Sequence, residues 1–283
     1  MRNAPDESCR KAVSFSELSN SLVETRTPRR KTMRMSTATF RKLTGFIFIL
    51  TPLWLFVNFR VLSSVSGFPD VQFAGVEALL TRVYQSSTTG IITWYIYLIP
   101  GALYIAAVVM FEKVMKPERI PWLPVATVMG VTAWALQFLG AVRWIFVYPY
   151  LANVWFESAP DSTTRETVTI VFNTINNYAG YGIGQTIGIH LTAVWILLAG
   201  FAILKSPLFK RWLGYIAIVV AIGEFIGNLG PLGAVVPGIN IKTLFNISGF
   251  FWYVSYVWMA YLGVMMMVAR ADVYDDLVPP EKF

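Results

Sequence analysis

Two charged residues lie deep inside apolar runs, and chemistry would be sought there first. Arg143 interrupts VTAWALQFLGAVRWIFV, and Glu224 interrupts RWLGYIAIVVAIGEFIGN. A charged side chain in lipid costs at least about 2.5 kcal/mol, so each is expected to face a partner or a cavity. Arg143 and Glu224 are the natural pair. Joined, they would fix how two helices meet. Apart, they would line a polar pocket, with Arg143 for an anionic group and Glu224 for a proton or a cation. Gln137, Gln185, His190 and Asn228 complete a set of polar residues expected at similar depth. Gln137 and Gln185 read as interhelical hydrogen bonders. His190 is the one histidine of the chain, and reads either as a hydrogen-bonded packing residue or as Glu224's partner in a proton relay.

Small residues form a second pattern. Gly180, Gly184 and Gly188 recur at intervals of four, and Gly223 and Gly227 repeat that spacing. Such stripes let helix backbones approach closely. The expectation is that the two helices carrying them pack together, with His190 off the stripe. GYGIGQTIG is not a dinucleotide fingerprint, because no strand precedes it and no βαβ unit surrounds it.

Other chemistries are argued against. The single cysteine, Cys9, and the single histidine exclude an internal disulfide, a zinc site on paired cysteines and a bis-histidine haem within one chain. No metal-ligand cluster, nucleophile–base motif or phosphate-binding loop is present. The expectation is therefore no metal and no cofactor, and a membrane enzyme is the weakest of three readings. A net charge of +7 suggests nucleic acid, but 10 of the 23 basic residues lie in the first 42 positions. Most others fall in short connectors, a distribution that membrane topology explains better.

The elements that position these residues are membrane helices. Hydrophobic residues make up 55% of the chain and charged residues 14%, against about 25% charged in a soluble domain. The pattern predicts an all-α bundle of six spans, near 44–63, 90–112, 124–147, 180–204, 212–229 and 243–268. Each has roughly the 20 residues a bilayer core needs. Residues 1–42 read as a disordered basic tail, 43–270 as the membrane domain and 271–283 as an acidic tail. Outer segments are expected near 65–89, with an interfacial helix from Asp70 to Tyr84, and near 150–179. There Thr163 and Glu166 form a capping box, so a helix starts near Thr164. It either runs into span four or bends near Gly180. Tyr148 closes span three at the interface. Trp252 and Trp258 read as packing or lipid-facing residues. If the N-terminus is inside, 18 Lys and Arg lie inside and three in the outer loops, so both termini are expected in the cytoplasm.

Ala141 to Trp144, Asn173 to Tyr178, Gly184 to Gly188 and the run Trp195 to Gly200 together resemble the DUF4386 family of bacterial integral membrane proteins. RWLGY at 211–215 and the glycine-rich end of span five fit as well. The resemblance covers roughly residues 40–270. It implies a polytopic bundle in a bacterial inner membrane and brings no activity or catalytic residues with it. The expected function is binding or transport of a small ligand through an outward-facing polar pocket. The alternative is a structural or regulatory accessory to another membrane protein, with the same residues as internal glue. The bilayer is the expected partner, with a small molecule or a membrane protein beside it, and nucleic acid is not.

Overall fold

The computed structural model describes residues 36–116, 119–160 and 162–269. Cys9, most of the basic tail and the 271–283 tail lie outside the described residues. Among those described there is no strand. Eight α-helices follow in order: α1 Thr37–Ser66, α2 Val76–Met115, α3 Leu123–Ala141, α4 Arg143–Glu157, α5 Thr163–Ile175, α6 Ile189–Lys205, α7 Arg211–Gly227 and α8 Ile241–Val268. A π-helical segment, Asn176–Gly188, joins α5 to α6 without a break. Six helical runs are long and apolar enough to cross a membrane. In lipid, where no water reaches backbone N–H and C=O groups, closure of these bonds within helices is what permits spanning.

Several boundaries differ from the sequence reading. α1 starts at Thr37, so residues 37–42 are its first turns. The segment near 65–89, expected on the outer side, contains a short 3₁₀ turn, Asp70–Phe73, followed by the first part of α2. That part buries Leu79, Leu80 and Val83. It ends at a kink where Ser87 takes φ 42°, ψ −133°, and the spanning part follows. The third span does not end near Val147. The α-helix is interrupted for one residue at Val142, whose dihedrals stay helical (φ −55°, ψ −27°), and continues as α4 to Glu157, with a buried face that includes Trp144, Tyr148, Leu151 and Trp155.

The cap of α5 also differs. Ser162, not Thr163, is the N-cap, with extended dihedrals (φ −84°, ψ 148°) and its hydroxyl 3.3 Å from the Arg165 amide. A cap must sit outside the helix to turn its oxygen onto the free N–H groups, and Thr163 is already helical. Ser162→Ala should cost about 1 kcal/mol of stability, read as a lower melting temperature in detergent; Thr163→Ala should cost less.

The two ends of the bundle are tied by different chemistry. At one end Arg41 donates to the Ala269 carbonyl at 2.5 Å, and Lys205 lies 4.3 Å from the Trp122 ring centre. At the other, Gln185 donates to Gln72 Oε1 at 3.2 Å, and Lys242 faces Asp70 at 3.6 Å. The last pair is largely exposed and adds little.

The core has two apolar clusters. One joins Phe48, Phe111, Trp195, Leu213, Trp258 and Leu262 with their neighbours. The other joins Leu62, Phe68, Trp94, Trp144, Tyr148 and Phe172. α6 packs against α7, but through Gly200 and Gly214 rather than the two expected stripes. Gly184 meets Gly140 of α3, Gly188 meets Gln137 and Ala133 of α3, and Gly180 lies under the Arg143 guanidinium. Gly223 and Gly227 face Phe251 and Ser248 of α8. A glycine stripe marks a close approach but carries no label for the neighbour.

Candidate functional site

The π-helical segment brings the polar residues of span three to the start of span four. Its glycines leave no side chain between the backbone and α3, so Gly184 reaches Gly140 directly. π turns are uncommon and are frequently found at functional sites. Here the segment forms one wall of a partly open cavity of about 70 Å³. Arg143, Gln137, Gln185, Gly180 and Gly184 line it, with Trp94, Trp134, Trp144 and Trp252 around them.

Arg143 is only 5% exposed. Its Nε donates to the Tyr148 hydroxyl at 2.8 Å, and that hydroxyl donates to Asn176 Oδ1 at 2.7 Å. Nη1 donates to the Gly140 carbonyl. The guanidinium carbon lies 5.7 Å from the ring centres of both Trp144 and Tyr148, within cation–π range. Arg143 forms no ion pair with a carboxylate among the described residues.

The expected Arg143–Glu224 ion pair is therefore not formed. Glu224 lies in a second cavity, of about 30 Å³, with Gln137, Thr192, Ser255 and the rings of Tyr97, Tyr104 and Tyr256. It is fully buried. The two cavities share Tyr97, Trp134, Gln137 and Trp252. Similar depth along two helices does not set their rotation, and α7 places Glu224 in a cavity that Arg143 does not line.

The remaining residues divide into glue and lining. Gln137 Nε2 donates to Thr192 Oγ1 at 3.0 Å, joining α3 to α6. Gln185 reaches Gln72 beside α2. Asn228 donates to the Glu224 carbonyl at 2.8 Å and to Ser248 Oγ at 3.0 Å, tying α7 to α8. His190 lines neither cavity. Its Nδ1 lies 2.6 Å from the Thr186 carbonyl and its Nε2 3.2 Å from that of Phe225. Its ring also stands edge-on to Phe225 at 4.4 Å. It packs between helices and forms no hydrogen bond to the Glu224 side chain.

Sequence reasoning gave no site role to Tyr148, Asn176, Ser255 or the four tryptophans of the larger cavity. Tyr148 was expected at an interface, yet it is fully buried. Its spacing from Arg143 carried no signal, since five residues turn a helix by about 140°; only the fold brings its hydroxyl to Arg143 Nε. Trp252, read from the sequence as packing or lipid-facing, borders both cavities. Nothing in its own span distinguishes it from Trp258, which packs in the first apolar cluster.

The fold and its buried polar seam define a multi-pass membrane helix bundle with an arginine-bearing cavity. Residues 43–265 match the family model described as a domain of unknown function, DUF4386, and the chain belongs to that family. The chain matches no curated protein and no solved structure.

Proposed function

We propose that this protein binds a small carboxylate, or the carboxylate end of a larger molecule, in the cavity at Arg143. The observation that carries this reading is a nearly fully buried guanidinium, without a carboxylate partner among the described residues, lining a cavity walled by aromatic rings. A guanidinium fork matches a carboxylate in charge and geometry. A cavity of about 70 Å³ admits a few water-sized groups, since one water needs on the order of 10–15 Å³ on this measure. That limits the buried part of the ligand to a small head. In this reading the pocket opens toward the outer face of a bacterial inner membrane, both termini are cytoplasmic and the bound molecule is carried or sensed there.

Four tryptophans around the cavity supply the test. Small carboxylates such as acetate and benzoate are titrated into the purified protein in detergent while tryptophan fluorescence is recorded. Wild type should quench saturably, and Arg143→Gln should bind at least about tenfold more weakly, the loss expected for one charge-assisted hydrogen bond. Equal quenching in both proteins, or none in either, would sink the proposal. Orientation is tested separately. A cysteine replacing Ser162 should label from outside in intact cells, and labelling only after lysis reverses the topology.

The accessory reading rests on a different observation. Arg143 fastens α3 to the π-helical segment through Gly140, Tyr148 and Asn176, which is what internal glue would do. It predicts that Arg143→Gln lowers the melting temperature while no small carboxylate binds either protein.

A further inference from the structure

We propose that Glu224 is the anionic ligand of a sodium-ion site in the smaller cavity. This site goes beyond the carboxylate reading and stands apart from Arg143. Glu224 is fully buried, and neither carboxyl oxygen accepts a hydrogen bond of ordinary geometry among the described residues. An ionised carboxyl in that position needs a positive charge beside it. Arg143 does not supply it.

The surrounding groups have acceptor oxygens to offer. Ser255 Oγ spends its proton on the Trp252 carbonyl at 2.8 Å. Gln137 spends its amide N–H groups on Thr192 Oγ1 and the Ala133 carbonyl. What Ser255 and Gln137 retain toward the cavity is oxygen lone pairs. Hard oxygen donors favour a hard cation over a transition metal.

Charge and size narrow the ion further. One carboxylate surrounded by neutral oxygens and rings balances one positive charge, not two. The described residues contain no group of three His, Cys, Asp or Glu that could hold a metal ion, and the only carboxylate charge lining this cavity is that of Glu224. A cavity of about 30 Å³ has room for one small ion and a water.

The experiment follows thermal unfolding of the purified protein in detergent, in sodium chloride and in N-methylglucamine chloride at equal ionic strength. The bulky organic cation controls for screening. Sodium should raise the wild-type melting temperature saturably, because a ligand that binds only the folded state stabilises it. Glu224→Gln should abolish that rise. Ser255→Ala should shift the half-saturating sodium concentration upward by up to about tenfold, the loss of one oxygen ligand. Arg143→Gln should keep the wild-type sodium response, which separates this site from the carboxylate cavity. A wild-type melting temperature equal in both salts, or a sodium response retained in Glu224→Gln, overturns the site. If Glu224→Gln does not fold, an unchanged sodium midpoint in Ser255→Ala overturns it instead.

Discussion

Gly140→Leu should unseat α3 from the π-helical segment and lower stability by about 3 kcal/mol, the upper end of overpacking costs. A Cβ at Gly140 would stand 2.7 Å from Gly184 Cα and 2.9 Å from the Ala179 carbonyl oxygen. Both are backbone atoms, and a backbone cannot rotate away as a side chain can. The approach is mutual, since a Cβ at Gly184 would stand 3.0 Å from Gly140 Cα. Leucine must therefore part the two helices, opening the larger cavity and displacing the carbonyl that Arg143 uses. Gly249→Ala is the control. A Cβ there meets nothing within 4 Å, and alanine is the better helix former by about 1 kcal/mol, so stability should hold or rise. Unfolding followed by tryptophan fluorescence separates the two. A Gly140→Leu protein that melts like wild type would show that the crossing does not exist.

Tyr148→Phe should cost about 1–3 kcal/mol, the price of leaving buried polar groups without a partner. The phenylalanine ring keeps the stacking against Phe172, whose centre lies 4.9 Å away. Only the hydroxyl is lost, and with it the hydrogen bonds to Arg143 Nε and Asn176 Oδ1. The loss should fall toward the upper end, because one partner is charged. Asn176→Leu in the Tyr148→Phe background should then cost less than Asn176→Leu alone, since residues in one network are not additive. Melting temperatures of the two single variants and the double variant check this. Strict additivity would mean that the relay from Arg143 to Asn176 carries no shared energy.

The polar residues show where sequence reasoning succeeds and where it stops. Arg143, Gln137 and Gln185 stood out because charged and amide groups are rare in apolar runs, and the fold places all three on one cavity. His190 stood out for the same reason, yet it packs against backbone carbonyls. Rarity reports the cost of burying a group, and a carbonyl of the next helix meets that cost as well as a ligand does. The ion pair between Arg143 and Glu224 failed for a geometric reason. Depth along a helix can be counted from its ends, but the direction a side chain faces depends on how each helix is turned about its axis. The same holds for Gly223 and Gly227, which contact α8 and not α6.

The sequence by itself determined that this chain forms six apolar helical runs. Lipid leaves the backbone no partner but itself, so length and hydropathy suffice to locate a helix. It also determined which side chains are costly inside those runs, because transfer energies belong to residue types. Only the tertiary structure decided which helices touch, that the third helical run continues past Val142 to Glu157 and how the π-helical segment exposes its glycines to α3. Those outcomes depend on packing between residues far apart in the chain. So does the central feature of the site: Arg143 and Glu224 occupy separate but adjoining cavities, each facing its own set of neighbours.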